Sequence, residues 1–378
     1  LKIALFLGAG ASAPFDKPTT AQMKEILLTQ DFKQGFHDFI IKSLLQVEKF
    51  SDIEYVLQAI TEIVNFSNSS GYDYFSSLGY NANFRHQMLV YSGSSYSFDQ
   101  VVAELRNVYD TLKRQIFKNY SWKPEDNRKL SSIYDRIFSI FKDYDSKIKI
   151  FTTNYDQAIE SYCEKKDELR LVDGFKYDEN KQKHIWTNGD YAYYDNVVSN
   201  KKNVYLYKLH GSLNWKEHIL NWIERTSEET ITTDPKYPTN MLIYPTLTPK
   251  DGLEKEPYKS VYHNFVNYMK DADMCIVIGF SFRDHLNDVF KEFMGKKKLF
   301  VAISPNVIKD FHVNLLKLDP SDNSAPWTKW NSTTRIESNP INKTEKWDVT
   351  LVPNKLLDNS VSNIINEIHN AFSYTHHP

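Results

Sequence analysis

Short apolar runs along this chain stop abruptly at glycine or at polar turns, and helix-spaced stretches separate several of them. "IALFL" (Ile3 to Leu7) is unbroken and ends at Gly8, the pattern of a strand buried on both faces. "KIKIFTTNYD", "NVYLYKLHGS", "NMLIYPT", "DMCIVIGFS" and "LFVAISPN" repeat the pattern further along. Thr19 or Thr20 is placed to cap a helix beginning "AQMKEILL". "SDIEYVLQAITEIV", "FDQVVAELRNVYDTLKRQIF" and "LSSIYDRIFSIF" carry helical periodicity, the first behind a capping box of Ser51 and Glu54. The Ser/Gly/Asn/Tyr-rich stretch from Asn65 to Ser97 reads as a loop. Lys176 to Lys202 is polar and poorly periodic and reads as a mobile insertion, whereas "SVSNIINEIHNAF" near the C-terminus is a short amphipathic helix. The pattern predicts an α/β, Rossmann-like parallel sheet with helices on both faces and a helical insertion after the first βα unit. The expected division is residues 1–30 and 146–310 as the Rossmann-like domain, 31–145 as the insertion, and 311–378 as a tail packing on the core.

Composition narrows the functional classes. Hydrophobic residues make up 41% and charged residues 25% of the 378 positions, as in an ordinary soluble globular protein. A formal net charge of −2 supplies no global attraction to nucleic acid or anionic membrane. No apolar run approaches the ~20 residues of a membrane span. The N-terminus lacks a signal peptide's basic-then-apolar order, so the cytoplasm is expected. Only two cysteines occur, Cys163 and Cys275, too few for a four-cysteine zinc site.

Four strand-ending turns carry candidate chemistry. "GAGASA" (Gly8 to Ala13) fits the G-x-G-x-x-G/A pattern, in which Gly10 lets a diphosphate approach and amides near Ser12 face it. A tight structural turn satisfies the same glycines. A dehydrogenase would place an acidic residue about 20 positions on, after the next strand, where this chain turns helical. "TTNYD" (Thr152 to Asp156) places a carboxamide two residues before a carboxylate, "KLHGS" (Lys208 to Ser212) presents one imidazole, and "GFSFRD" (Gly279 to Asp284) combines glycine with a hydroxyl. Each taken singly is also ordinary turn chemistry. Parallel strands would gather all four at one sheet edge.

In that order, "GAGAS", "TNYD", "KLHGS" and "GFSFRD" resemble the sirtuin family, specifically its prokaryotic sirtuin-like branch of antiphage defence. "SDIEYVL", "IYPT" and "EPYKSVY" are similar to that branch too, so the resemblance runs from residue 3 to about 306. It implies an NAD-binding cradle at Gly8, Ala9, Gly10 and Ser12, with Thr19 and Thr153 as further cofactor contacts. It puts the catalytic asparagine on Asn154, its companion acid on Asp156 and the active-site histidine on His210. Gly279, Phe280 and Ser281 would lie near the adenosine ribose and Asn306 at the adenine end. Deacylase sirtuins also carry a four-cysteine zinc module that helps form the peptide cleft; two cysteines cannot build it, so no zinc is expected. "FDKPTTAQ" likewise replaces the family's acidic-aromatic-arginine stretch.

The implied activity is an NAD glycohydrolase, converting NAD and water to nicotinamide and ADP-ribose. The competing functions are a sirtuin-type deacylase or ADP-ribosyltransferase, and a regulatory sensor that binds NAD or ADP-ribose without turnover. The resemblance further implies a homo-oligomeric antiphage effector that depletes NAD in abortive infection. Its expected activator is a protein partner such as a HerA-type ATPase, with a short Argonaute as the less favoured partner.

Overall fold

Strand β1 (Ile3–Leu7) is buried at every position, as its unbroken apolar run requires. It lies inside an eight-stranded sheet with β4 (Lys147–Thr152), β5 (Leu169–Val172), β8 (Lys202–Lys208), β12 (Met274–Ile278), β13 (Leu299–Ile303), β14 (Thr334–Ser338) and β15 (Lys346–Val352). The strand order is β14-β15-β13-β12-β1-β4-β8-β5, and every neighbouring pair is parallel except the antiparallel edge pair β14–β15. The computed structural model describes residues 2–30, 35–46, 53–67, 89–91, 93–139, 141, 147–195, 200–218, 222–226, 239–242, 254–283, 285–319 and 333–353.

Side-chain alternation divides the sheet's apolar content between two cores. Ile3, Leu5 and Leu7 join Ile148, Ile150, Leu206 and Ile276 on one face. Ala4 and Phe6 join Phe151, Tyr207, Cys275 and Val277 on the other. The first core is closed by Leu130, Ile133 and Ile137 of α5 (Leu130–Ser139) and by Ile159 and Tyr162 of α6 (Ala158–Glu164). Val261 and Phe265 of α8 (Tyr258–Asp271) and Phe290 and Phe293 of α9 (Asn287–Gly295) close the second. Helices on both faces of a mostly parallel sheet make this a Rossmann-like α/β fold.

The chain divides into two compact units, one holding Leu1–Lys17 and the described residues from Tyr120 onward, the other Pro18–Asn119. The helical unit therefore starts and ends earlier than the 31–145 span expected from periodicity. α5 was expected in the insertion, but its apolar stripe packs beside β1 and β4. The second unit contains α1 (Thr20–Thr29), α2 (Gly35–Leu45), α3 (Ile53–Ser67), α4 up to the boundary (Phe98–Tyr120), and a hairpin of β2 (Leu89–Tyr91) and β3 (Ser94–Tyr96). Thr19 caps α1 in a reciprocal capping box with Gln22. Inside this unit the His37 ring bonds Glu104 and lies 3.1 Å from the Thr111 hydroxyl.

Two further expectations change. Lys176 to Lys202 is not an irregular insertion: β6 (Phe175–Asp178) and β7 (Lys183–Trp186) form a hairpin followed by α7 (Gly189–Asp195). These strands join β9 (Gly211–Glu217), β10 (Ile223–Arg225) and β11 (Thr239–Leu242) in a five-stranded antiparallel sheet, ordered β11-β9-β10-β7-β6. Phe175 and Trp186 pack on Trp215 at 5.2 and 6.2 Å between ring centroids, and this aromatic contact compensates for the segment's polar composition. The region expected as a packing tail extends the main sheet through β14 and β15. Ser51, most of the loop from Asn65, the "IYPT" segment, Asp284 and the expected helix from Ser360 lie outside the described residues. Among the described residues, no helix is long and apolar enough to cross a membrane.

Phe290 is fully buried and meets Phe6, Phe265, Phe280, Phe282 and Phe300 with centroid separations of 5.1, 6.0, 5.9, 5.9 and 5.8 Å. Phe290→Ala is expected to cost about 3–5 kcal/mol in urea denaturation at an unchanged m-value. A loss below about 1 kcal/mol would mean that this cluster does not support the second core.

Candidate active site

The site begins with a row of strand ends. Lys208, Thr152, Leu7, Ile278 and Ile303 are register partners across β8, β4, β1, β12 and β13, so the turns after these strands leave from one edge. Chain order reverses between β1 and β12, where an open α/β sheet forms a ligand crevice at its carboxyl end.

At that crevice the turns after β1 and β12 meet backbone to backbone. The Gly8 amide donates to the Ile278 carbonyl at 2.9 Å and the Gly10 amide to the Gly279 carbonyl at 2.8 Å. A Cβ on Gly8 would stand 2.6 Å from Phe280 Cα, and one on Gly10 would stand 2.8 Å from Gly279 Cα. Gly279 has φ +67°, and a Cβ there would meet the Ala11 nitrogen at 2.3 Å. The glycines are therefore required by the contact between the turns, whatever they do for a ligand. The turn after β1 is 3-10 rather than α-helical. The Ala11 amide donates to the Gly8 carbonyl at 2.9 Å and the Ser12 amide to the Ala9 carbonyl at 3.1 Å. The amides of Gly10, Ala11 and Ser12 thus have protein acceptors, which departs from the expectation that amides near Ser12 face a diphosphate.

The turn after β4 holds Asn154 and Asp156. The Thr153 amide donates to the Leu7 carbonyl at 3.3 Å. Thr152 Oγ1 donates to the same carbonyl at 2.8 Å and accepts from the Asn154 amide at 3.0 Å. Asn154 Nδ2 lies 2.9 Å from both the Gly8 carbonyl and Ser12 Oγ. A carbonyl only accepts, so the amide nitrogen must face Gly8 and the Asn154 Oδ1 is directed elsewhere. Ser12 Oγ donates in turn to Asp156 Oδ2 at 2.5 Å, and Asp156 Oδ1 accepts from the Ala158 amide at 3.0 Å. Asp156 is only 5% exposed and Ser12 is buried. Their polar atoms form a continuous chain, Asn154 to Ser12 to Asp156, that orients the asparagine.

His210 stands two residues past the end of β8, as Asn154 stands two past the end of β4. The two turns are laced together. The Leu209 amide donates to the Thr152 carbonyl at 2.8 Å and the Leu213 amide to the Tyr155 carbonyl at 3.3 Å. The structure thus brings Asn154, Asp156, Ser12 and His210 into one neighbourhood. The His210 ring stacks on His285 at 6.2 Å between centroids, and Tyr262 lies 5.9 Å from His285. His285 went unnoticed in the sequence because it falls one residue beyond "GFSFRD".

The remaining expected residues differ in their surroundings. The Phe280 ring belongs to the second core, 4.9 Å from Phe6. The Ser281 carbonyl accepts from Asn314 Nδ2 at 2.8 Å. Asn306 is exposed at the start of the one-turn helix Val307–Lys309, which runs into a π-helix, Asp310–Leu315. Thr19 belongs to the second unit, where its side chain caps α1.

Lys208 and Glu160 form a heavily buried ion pair at the end of β8. Lys208 Nζ lies 2.8 Å from Glu160 Oε1, yet burial still raises the Glu160 carboxyl above its ordinary range, against the pull of Lys208. Burial also pushes Asp310 up to about 6, with Arg283 and Lys309 opposing the rise. Cys163 packs in the first core and Cys275 in the second, on opposite faces of the main sheet, so this pair cannot share a metal ion. Among the described residues, no three His, Cys, Asp or Glu side chains converge as a metal-binding group.

Residues 148–314 match the SIR2-like domain model. The SIR2-like match takes in Asn154, Asp156, His210 and Gly279 and begins beyond the glycine turn after β1. No curated protein matches the chain in sequence. Among solved structures, a Sir2 homologue in complex with NAD is 12% identical, covering 98% of this chain and 90% of that one at a TM-score of 0.39. A mutant Sir2 homologue in complex with 2'-O-acetyl ADP ribose is 11% identical, with coverages of 98% and 93% and a TM-score of 0.36. Likenesses this loose transfer neither residues nor ligands to this chain.

Two outcomes follow from the geometry. Gly279→Ala combines a positive φ with a backbone clash and is expected to cost about 2–4 kcal/mol in urea denaturation; a near-neutral effect would contradict the close approach. Because the folded-state pKa of Asp310 is raised, its neutral form is favoured, and its contribution is present below the ordinary carboxyl value and lost as pH rises through about 6. Asp310→Asn should therefore match wild type near pH 4 and gain on it at pH 8 by about 1–3 kcal/mol in denaturation midpoints. A gap independent of pH would contradict that assignment.

Proposed function

We propose that this protein hydrolyses NAD to nicotinamide and ADP-ribose. The observation that carries the reading is the Asn154–Ser12–Asp156 hydrogen-bond chain beside the His210 turn, at the crevice where chain order reverses. The SIR2-like match supports the same substrate class.

Nicotinamide is attached as a cationic pyridinium and leaves neutral, so no general acid is needed at the leaving group. The C1'–N bond breaks, water forms the new C1'–O bond, and one proton is released. The remaining demand is to stabilise an oxocarbenium-like ribose and to position water. With Nδ2 directed at Gly8 and Ser12, Asn154 Oδ1 is the atom that accepts from a ribose hydroxyl or the attacking water. Asp156 acts through Ser12 and does not itself touch the sugar. His210, in the turn beside Asn154, takes the proton released from the attacking water.

The sequence resemblance supports a wider role for this hydrolase. It acts as an antiphage effector that depletes NAD, assembles with copies of itself, and is switched on by a protein partner of the HerA-type ATPase class.

Nicotinamide release measured by chromatography, with and without that partner, tests the reaction. Wild type should convert NAD to equimolar nicotinamide and ADP-ribose. Asn154→Ala and His210→Ala should each lower kcat by about 100-fold or more. NAD-induced thermal stabilisation without release would instead make the chain a sensor. Transfer of an acyl group from a peptide to ADP-ribose would make it a deacylase, and transfer of ADP-ribose to a peptide would make it an ADP-ribosyltransferase.

A further inference from the structure

Lys208 is the last residue of β8, and at 2% exposure it is among the most buried charged side chains described. Its ammonium lies 2.5 Å from the Asp156 carbonyl, 2.7 Å from Ser212 Oγ and 2.8 Å from Glu160 Oε1, with the Tyr155 carbonyl at 3.4 Å. An ammonium has three N–H donors, and the three short contacts account for all of them. Glu160 is itself buried, so the pair carries a desolvation penalty that an apolar side chain of similar length would avoid.

The partners show what this costly arrangement does. Asp156 and Tyr155 belong to the turn that carries Asn154. Ser212 lies two residues past His210 and also donates to the Tyr155 carbonyl, at 3.3 Å. Lys208 and Ser212 therefore flank His210 in sequence, Lys208 fastened to residues 155 and 156 and Ser212 to residue 155. Gly211 between them has φ +82°, which lets the chain turn back sharply enough to be held on both sides. Reaching from one strand end to the neighbouring turn, the lysine also fixes the peptide plane from which the Asp156 carboxylate meets Ser12.

We propose that Lys208, with Ser212, is a positioning residue that locks the Asn154–Asp156 turn to the His210 turn and so sets the geometry in which both face the ribose. This rests on the NAD-hydrolase reading, and it adds two residues that touch neither substrate nor product.

The test compares Lys208→Met, Ser212→Ala, His210→Ala and the two double variants carrying His210→Ala, in the full chain with its activator. Ser212→Ala leaves the ion pair intact and keeps the test alive if Lys208→Met does not fold. Lys208→Met and Ser212→Ala should each lower kcat by about 10- to 100-fold with KM within about threefold. In the His210→Ala background the same changes should cost little, because the geometry they maintain has lost its purpose. Unchanged kcat, or losses that simply multiply, would overturn the proposal. Amide hydrogen exchange separates this from failure of the hydrolase reading. Ser212→Ala should speed exchange at Asn154, Leu209 and Leu213 while Phe6 and Val277 stay protected. If wild type releases no nicotinamide, the reaction is wrong and the exchange pattern alone decides the lock: localised opening supports it and an unchanged pattern refutes it.

Discussion

The close approach of two backbone turns, one after β1 and one after β12, is the constraint on which the rest of the site depends. Gly8, Gly10 and Gly279 leave no room for a Cβ between them. Their contact brings the turns together at the point where chain order reverses. With the turn after β1 held there, the Gly8 carbonyl and the Ser12 hydroxyl become fixed points from which Asn154 is oriented. A larger residue in the contact would displace the asparagine as well as the turn.

Orientation then passes from a half-buried group to a series of buried ones. Asn154 is held by Ser12, Ser12 by Asp156, and the Asp156 backbone by Lys208, whose charge is balanced by Glu160. Each donor in this chain has a defined acceptor, so the network is rigid in a way that a set of exposed turn residues is not. The half-buried asparagine sits at the open end of the network and the buried ion pair at the closed end. Preorganisation of this kind suits a reaction whose main demand is placing water and an amide oxygen against a developing cation.

Much of this was legible in the sequence, for a physical reason. A parallel strand buried on both faces must be apolar throughout, so "IALFL", "MCIVI" and "LFVAI" identify themselves, and the residues just beyond them become site candidates. The five-stranded sheet was not legible, because its hairpin over Phe175 to Trp186 is polar on one side and buries a few aromatics on the other. β14 and β15 were missed because "TRIES" and "KWDVTLV" mix charged residues with apolar ones. Lys208 and Glu160 were invisible as a pair: a lysine ending a strand and a glutamate in a helix look like solvated surface. The glycine pattern is compatible with both a tight turn and room for a ligand, and contact with another turn is its first requirement.

The most direct test of the central claim is a crystal structure with ADP-ribose bound. The account predicts the diphosphate beside the turn after β1, with the ribose within hydrogen-bond reach of Asn154 Oδ1 and the His210 ring. It also predicts that the Gly10–Gly279 contact stays intact beneath the ligand. A ligand seated away from that strand edge, or an Asn154 amide turned away from Gly8 and Ser12, would contradict it.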